Sequence, residues 1–395
     1  MPKNSSPNAQ PVPMLDLKRQ YRPIENELMG AIGHVLENEQ FILGDSVAAF
    51  ERAAAERLGV AHAVGCSSGT DALWLALAAA GVGPGQSVVT TPFSFFASTS
   101  SILRAGATPI LADIEPTTFN LNPAAVEAVL NGPQGASVRA ILPVHLYGQC
   151  ANWTAFFRLA KEHELKLIED AAQAWGAQWP SSDGQAFKAG ALGDAAAFSF
   201  YPTKNLSAAG DAGMVTTNSD EIAERARMLR QHGMRRQYHH DEIGWNTRMD
   251  GFQGAILEVK LKYIDGWNQL RRTVAKRYHA LFHAAGLAES GPYPAHGIVL
   301  PHEVAGSRHV WHQYVIRTPR RDALRDFLTK RKIGSQIYYP IPIHLQDALK
   351  GLGYKAGDFP EAERAAHEVL ALPIFPELRE DEQEIVVAAI AEFLR

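Results

Sequence analysis

The sequence predicts an α/β fold: a large domain on a mainly parallel sheet flanked by helices, followed by a smaller C-terminal α+β domain. Three observations carry this prediction. From about Arg52 to Asn218, short β-branched runs alternate with helical patterns, the signature of βαβ units. After Gly251 the pattern becomes a long helical periodicity, Phe252 to Phe282, with Ile256, Val259, Tyr263 and Trp267 at helical spacing. The chain of 395 residues is too long for one ordinary core, and 46% hydrophobic with 20% charged residues is the balance of a globular protein.

Taken in order, residues 1–13 are rich in Pro, Asn and Ser and are expected to form a flexible tail; they lack the basic start and apolar run of a secretory signal. The large domain is expected to span 14–262. Its strands are predicted at Ser87 to Thr91, Thr108 to Ile114, Val138 to Leu146, Leu165 to Glu169, Ala196 to Phe200 and Met214 to Thr217. Between them lie helices such as Thr70 to Ala80, closed by Gly81, and Pro123 to Leu130, opened by Asn122. Helices on both faces are what a parallel sheet needs. The small domain, 263–395, has a strand at Trp311 to Ile316, a helix Arg321 to Arg331 closed by Gly334, and the Pro-rich stretch Tyr339 to Pro342. A surface loop at 351–360 and a final helix Asp381 to Leu394 complete it.

Composition excludes several classes of function. With 38 basic and 42 acidic side chains the net charge is −4, so nucleic acid and anionic membrane are not expected partners. No apolar run reaches the roughly 18 residues that cross a bilayer; the Ala-rich run Ala72 to Ala80 reads as a buried helix. Cys66 and Cys150 lack metal-ligand spacing, so neither a disulfide framework nor a metal site is indicated, and a cytoplasmic location fits.

Three segments carry chemistry. Gly65-Cys66-Ser67-Ser68-Gly69-Thr70-Asp71 opens a helix, where backbone N–H groups at the positive dipole end can bind a phosphate, though a Ser-capped helix start looks the same. Ile168-Glu169-Asp170-Ala171-Ala172-Gln173 ends an apolar strand in carboxylates at the edge of the sheet where α/β proteins meet ligands. In Ala197-Phe198-Ser199-Phe200-Tyr201-Pro202-Thr203-Lys204-Asn205-Leu206, a lysine follows a buried strand among small and apolar residues, which disfavours its ammonium form.

In this order the segments resemble the DegT/DnrJ/EryC1/StrS family of nucleotide-sugar aminotransferases. Further matching pieces are Phe41-Ile42-Leu43-Gly44, Pro143-Val144-His145-Leu146-Tyr147-Gly148, Gly244-Trp245-Asn246-Thr247-Arg248 and Tyr339-Pro340-Ile341-Pro342-Ile343-His344, so the likeness runs from Leu15 to about Pro376. The resemblance implies a fold-type I transferase, similar to aspartate aminotransferase, that uses pyridoxal 5′-phosphate (PLP). Lys204 then resembles the Schiff-base lysine and proton shuttle, and Asp170 the carboxylate that keeps the pyridine nitrogen protonated. Gln173 matches the partner of the ring hydroxyl and Phe95 the stacking aromatic, with Phe96 its rival. Ser68, Gly69, Thr70 and Ser199 match the phosphate site, and Asn246 a phosphate contact from a neighbouring subunit in a homodimer with shared sites. His145 is a further catalytic candidate beside the cofactor, and Phe41, Tyr339 and His344 are candidates for substrate contact.

The implied reaction takes an amine from an amino acid, glutamate by resemblance, to a keto sugar linked to dTDP or UDP. Thr91-Pro92-Phe93 and Tyr238-His239-His240 incline the reading towards a 3-keto sugar. A PLP-type sugar dehydratase of the same fold typically has histidine at the lysine position, which Lys204 argues against. A regulatory protein is the other alternative, but no basic stripe supports one that binds DNA. Ser94 and Ala212 depart from the family's usual Thr and Gly, and the stretch 181–189 carries no motif.

Overall fold

The computed structural model describes residues 11–180 and 186–395. Strands in chain order are β1 (His62–Cys66), β2 (Ser87–Thr90), β3 (Thr108–Leu111), β4 (Val138–Ile141), β5 (Lys166–Asp170), β6 (Gln178–Pro180), β7 (Ala186–Lys188), β8 (Ala195–Ser199), β9 (Gly213–Thr217), β10 (Met234–Arg236), β11 (His239–His240), β12 (Tyr314–Arg317) and β13 (Val369–Leu372). Helices are α1 (Leu17–Tyr21), α2 (Glu25–Asn38), α3 (Gly44–Leu58), α4 (Gly69–Ala79), α5 (Ala97–Arg104), α6 (Pro123–Leu130), α7 (Trp153–Glu162) and α8 (Asp220–Leu229). They continue as α9 (Gly251–Leu261), α10 (Ile264–Ala284), α11 (Arg321–Lys330), α12 (Pro360–Glu368) and α13 (Glu380–Leu394).

Seven strands form the central sheet in the order β1-β9-β8-β5-β4-β2-β3. The pairs β2–β3, β2–β4, β4–β5 and β5–β8 are parallel, whereas β9 runs antiparallel to both β1 and β8. The β8–β9 connection therefore needs no crossover helix. Alternation along the strands sends side chains to two opposite cores. Phe198 and Met214 join α3, α6, α7 and α9 around Phe50 and Phe156; Ala197 and Val215 join α4, α8 and α12 around Trp74 and Phe93. A third cluster gathers β12, β13, α11, α13 and the second half of α10 around Tyr278, Tyr314 and Phe375.

Each strand expected from the sequence is present, with ends that move for local reasons. The expected strand from Val138 stops at Ile141, because Tyr147 takes a left-handed φ of 59° and the chain turns at His145 to Gly148. The strand expected from Trp311 begins at Tyr314: Trp311 has φ 48°, and its ring stacks at 3.9 Å on His309, whose Nδ1 accepts the Trp311 N–H. The long helix from Phe252 is divided, since Lys262 and Tyr263 donate to the carbonyls three residues back, a tightening that periodicity does not register. Gly334 does not close α11, which ends at Lys330 with Lys332 left-handed. A Cβ at 334 would lie 2.4 Å from the Met14 nitrogen, so this glycine admits the incoming N-terminal strand. That strand corrects the expected tail. Residues 1–10 lie outside the described part, but Val12 is 1% exposed and exchanges backbone hydrogen bonds with Lys332 and Gly334. The expected loop at 351–360 is partly ordered, with a 3-10 turn over Asp347–Leu352 ahead of α12. Of the stretch 181–189, residues 181–185 lie outside the described residues and 186–188 form β7.

Candidate functional site

Because β1, β5 and β8 run in the same direction, their carboxyl ends lie on one edge of the sheet and deliver the three chemical segments there. Antiparallel β9 brings its first residue, Gly213, to the same edge. Glycine is required at two close approaches. A Cβ on Gly213 would lie 2.2 Å from the Ser68 carbonyl oxygen, and one on Gly69 would lie 2.5 Å from Ser199 Cβ. The Ser199 hydroxyl thus sits against the N-terminus of α4. Ser68 caps that helix: its Oγ accepts the Asp71 N–H at 3.1 Å and donates to Asp71 Oδ2 at 2.9 Å. Asp71 is held in turn by Ser67 and by Arg104, both at 2.5 Å. The Ser68 hydroxyl is therefore spent on the cap, while the N–H groups of Gly69 and Thr70 have no acceptor among the described residues.

Asp170 is 4% exposed at the end of β5. Ser98 Oγ of α5 donates to its Oδ2 at 2.7 Å and the Ala172 N–H to its Oδ1 at 3.2 Å. Burial pushes its carboxyl pKa up; the bond from Ser98, that from Ala172 and the nearby Lys204 charge push back. Lys204 is half-buried in a turn closed by its N–H donating to the Tyr201 carbonyl. Burial pushes its amine down to about 8, opposed by the Asp170 charge.

Gln173 is fixed from both ends: Oε1 accepts the Tyr147 N–H at 2.6 Å and Nε2 donates to the Tyr339 hydroxyl at 3.1 Å. Phe95 is 61% exposed with its ring 6.4 Å from that of Tyr339, whereas Phe96 precedes α5 and is half-buried. Asn246 is exposed, without a side-chain hydrogen bond among the described residues, in a segment whose Trp245, Ile243 and Tyr238 also face outward. Phe41 is partly exposed and stacks on Phe252.

Two of the expected histidines are buried and engaged within the protein. His145 is fully buried, its Nδ1 accepting the Ala151 N–H at 3.1 Å and its Nε2 bonded to Glu169 Oε2 at 3.0 Å. Neither ring nitrogen is left for a substrate. Glu169 also accepts from the N–H groups of Gly190, Leu192 and Gly193, so the pair braces the chain beneath the site. His344 is 2% exposed, its Nε2 bonded to Glu363 at 3.0 Å and its buried Nδ1 without a partner among the described residues. The sequence reading missed Ser98. The only signal was its spacing from Ser94, one helical turn earlier, and their hydroxyls are in fact 2.9 Å apart. Among the described residues, no group of three His, Cys, Asp or Glu side chains is arranged to hold a metal ion, and no helix is long and apolar enough to cross a membrane.

The model of the DegT/DnrJ/EryC1/StrS aminotransferase family matches residues 23–391. The chain is 41% identical to a UDP-N-acetyl-3-dehydro-alpha-D-glucosamine 3-aminotransferase of Acidithiobacillus ferrooxidans, over 97% of each chain. It is 48% identical to a pleiotropic regulatory protein of Geobacillus stearothermophilus, over 97% of this chain and 99% of that one. Among solved structures, S. venezuelae DesV in complex with a ketimine intermediate superposes with a TM-score of 0.90 at 40% identity, covering 98% of this chain and 99% of that one. NtdA from Bacillus subtilis, solved with bound cofactor PMP, gives 0.86 at 28% identity over 98% and 86%.

Proposed function

The chain belongs to the DegT/DnrJ/EryC1/StrS aminotransferase family, and from that premise we propose that it transfers an amino group from an amino acid to a nucleotide-linked keto sugar with PLP as cofactor. The observation that carries the reading is the meeting, at one sheet edge, of a lysine with a lowered pKa, a buried carboxylate and an open helix N-terminus.

These residues fit the cofactor. The cradle of Gly69 and Thr70 N–H groups and the Ser199 hydroxyl suits a phosphate dianion, and a Cβ on Gly69 would fill it. Asp170 would pair with the ring nitrogen, Phe95 would cover the ring face, Gln173 would meet the ring hydroxyl, and Lys204 would hold the aldehyde carbon. When bound, PLP supplies an electron-withdrawing ring to the carbon that carries the amine. Lys204 would move the proton at its Nζ, and burial, which lowers its pKa towards about 8, favours the neutral amine that can accept one. Asp170 holds the compensating negative charge, and Ser98 keeps its Oδ2 aimed.

Glutamate is the proposed donor, and a dTDP- or UDP-linked 3-keto sugar the acceptor, with Phe41 and Tyr339 at its side of the site. Relatives named for 3-amination of UDP and dTDP sugars support this choice. The working unit is proposed as a cytoplasmic homodimer in which Asn246 reaches the partner's phosphate site; its exposure, with no side-chain hydrogen bond among the described residues, supports that role. The test is to supply glutamate with dTDP- and UDP-linked 3-keto and 4-keto sugars and to measure 2-oxoglutarate. A yellow protein that makes 2-oxoglutarate only with a 3-keto sugar is expected. A colourless protein inactive with all four would leave the regulatory alternative.

A further inference from the structure

Two hydroxyls beside Asp170 form a chain whose direction the carboxylate decides. Ser98 Oγ lies 2.7 Å from Asp170 Oδ2 and 2.9 Å from Ser94 Oγ. Ser94, Ser98 and Asp170 are all buried, so the chain is shielded from bulk water. An ionised carboxylate only accepts, so Ser98 spends its one hydrogen on Oδ2. Its oxygen is then left to accept, and the hydrogen between the two serines belongs to Ser94. A protonated Asp170 with its hydrogen on Oδ2 would instead donate to Ser98, and both hydroxyls would turn round. The observed chain is thus aligned by the negative charge at its end and polarised towards it.

The chain also joins two elements. Ser98 lies in the first turn of α5, and Ser94 lies one turn earlier, directly before Phe95. The loop that carries Phe95 is therefore tied to the carboxylate at the end of β5. Among the described residues the Ser94 hydroxyl has no other partner, so it serves this chain alone. Burial acts most strongly on the Asp170 carboxyl and raises its pKa; the Ser98 bond comes next and lowers it, ahead of the Ala172 N–H, Lys204 and His145.

We propose that Ser94 is a positioning residue for Asp170: through Ser98 it completes a two-hydroxyl chain that holds Oδ2 in place and favours the ionised carboxylate. The proposal rests on Asp170 being the partner of the ring nitrogen, and it supplies the means by which a buried carboxyl stays charged for that role. Only the hydroxyl of residue 94 enters the chain. A serine there does what the family's usual threonine would do, so this departure carries no loss.

The test titrates the cofactor-free full chain, labelled with ¹³C at the aspartate carboxyl carbon, with Asp170 assigned by comparison with Asp170→Asn. Ser98→Ala should raise the Asp170 pKa by about one pH unit, the scale of one hydrogen bond to a charged group. Ser94→Ala should raise it by about a quarter as much, the share that one bond lends to the next in a chain. Ser94→Thr, which keeps the hydroxyl, should leave it at the wild-type value. An Asp170 pKa unmoved by Ser94→Ala, or moved as far by Ser94→Thr, would overturn the proposal. In the holoenzyme kcat should fall about tenfold in Ser98→Ala and about twofold in Ser94→Ala, with little change in KM for glutamate. A wild-type kcat in both variants would also overturn it. The reading of Asp170 is judged separately: near-normal turnover in Asp170→Asn would sink that reading whatever the carboxyl titrations showed.

Discussion

Lys204 and Asp170 are each pushed by burial towards neutrality and pulled back by the other's charge. Lys204→Ala should bind PLP only non-covalently and lose activity by several orders of magnitude, on the scale of 10²–10⁴-fold for its proton transfer alone; steady-state turnover and absorbance on adding glutamate check this. Asp170→Asn should fold normally, by circular dichroism, yet lose most activity, because an amide can bond the ring nitrogen without stabilising its charge. The lysine also predicts a pH dependence of stability. Its folded pKa of about 8 lies below the ordinary lysine value, so between about 8 and 10.5 the unfolded chain binds more protons and stability rises with pH. Denaturant titrations of cofactor-free wild type and Lys204→Met should show a deficit of the wild type at pH 7 that shrinks above pH 8. Both residues stood out in the sequence because each follows an apolar strand, Asp170 at its end and Lys204 a few residues beyond. Ser98 did not, since 72 positions separate it from the carboxylate it serves. His145 misled for the converse reason: the partner that occupies it, Glu169, ends the same strand as Asp170.

At the scale of elements, the open end of α4 depends on what lies opposite it. Gly69→Ala would press a methyl group against Ser199, and overpacking of this kind costs about 1–3 kcal/mol. A lower melting temperature and a weakened affinity for PLP should appear together. Gly81→Ala, at a helix end with open space for the Cβ but a φ of 83°, should lower stability alone. Helix α6 and its Asn122 cap were legible to the residue, because a cap followed by proline is a local signal. The division between α9 and α10 and the direction of β9 were not. The first rests on two hydrogen bonds of altered reach, and the second on which strands become neighbours, neither of which is written in hydrophobic spacing.

For the whole molecule, the proposed homodimer makes a sharp prediction. Inactive Lys204→Ala mixed with a severely impaired Asn246 variant, under conditions of subunit exchange, should regain activity, because one site of the mixed dimer carries both defects and the other none. No recovery would assign Asn246 to its own chain. The order of the central sheet has a further consequence, in time rather than space. β1 emerges early in synthesis, but among the described residues its neighbour in the central sheet is β9, joined through pairs from His62↔Thr217 to Cys66↔Gly213. At ribosomal rates this strand waits about 10 to 30 s for its partner. Until then one edge of the nascent sheet lies unpaired, and the phosphate cradle, which needs both Gly69 and Gly213, does not exist. A nascent chain cannot be loaded with cofactor before that strand arrives, so stalled ribosomes carrying shorter chains should remain colourless and offer chaperones an open strand edge.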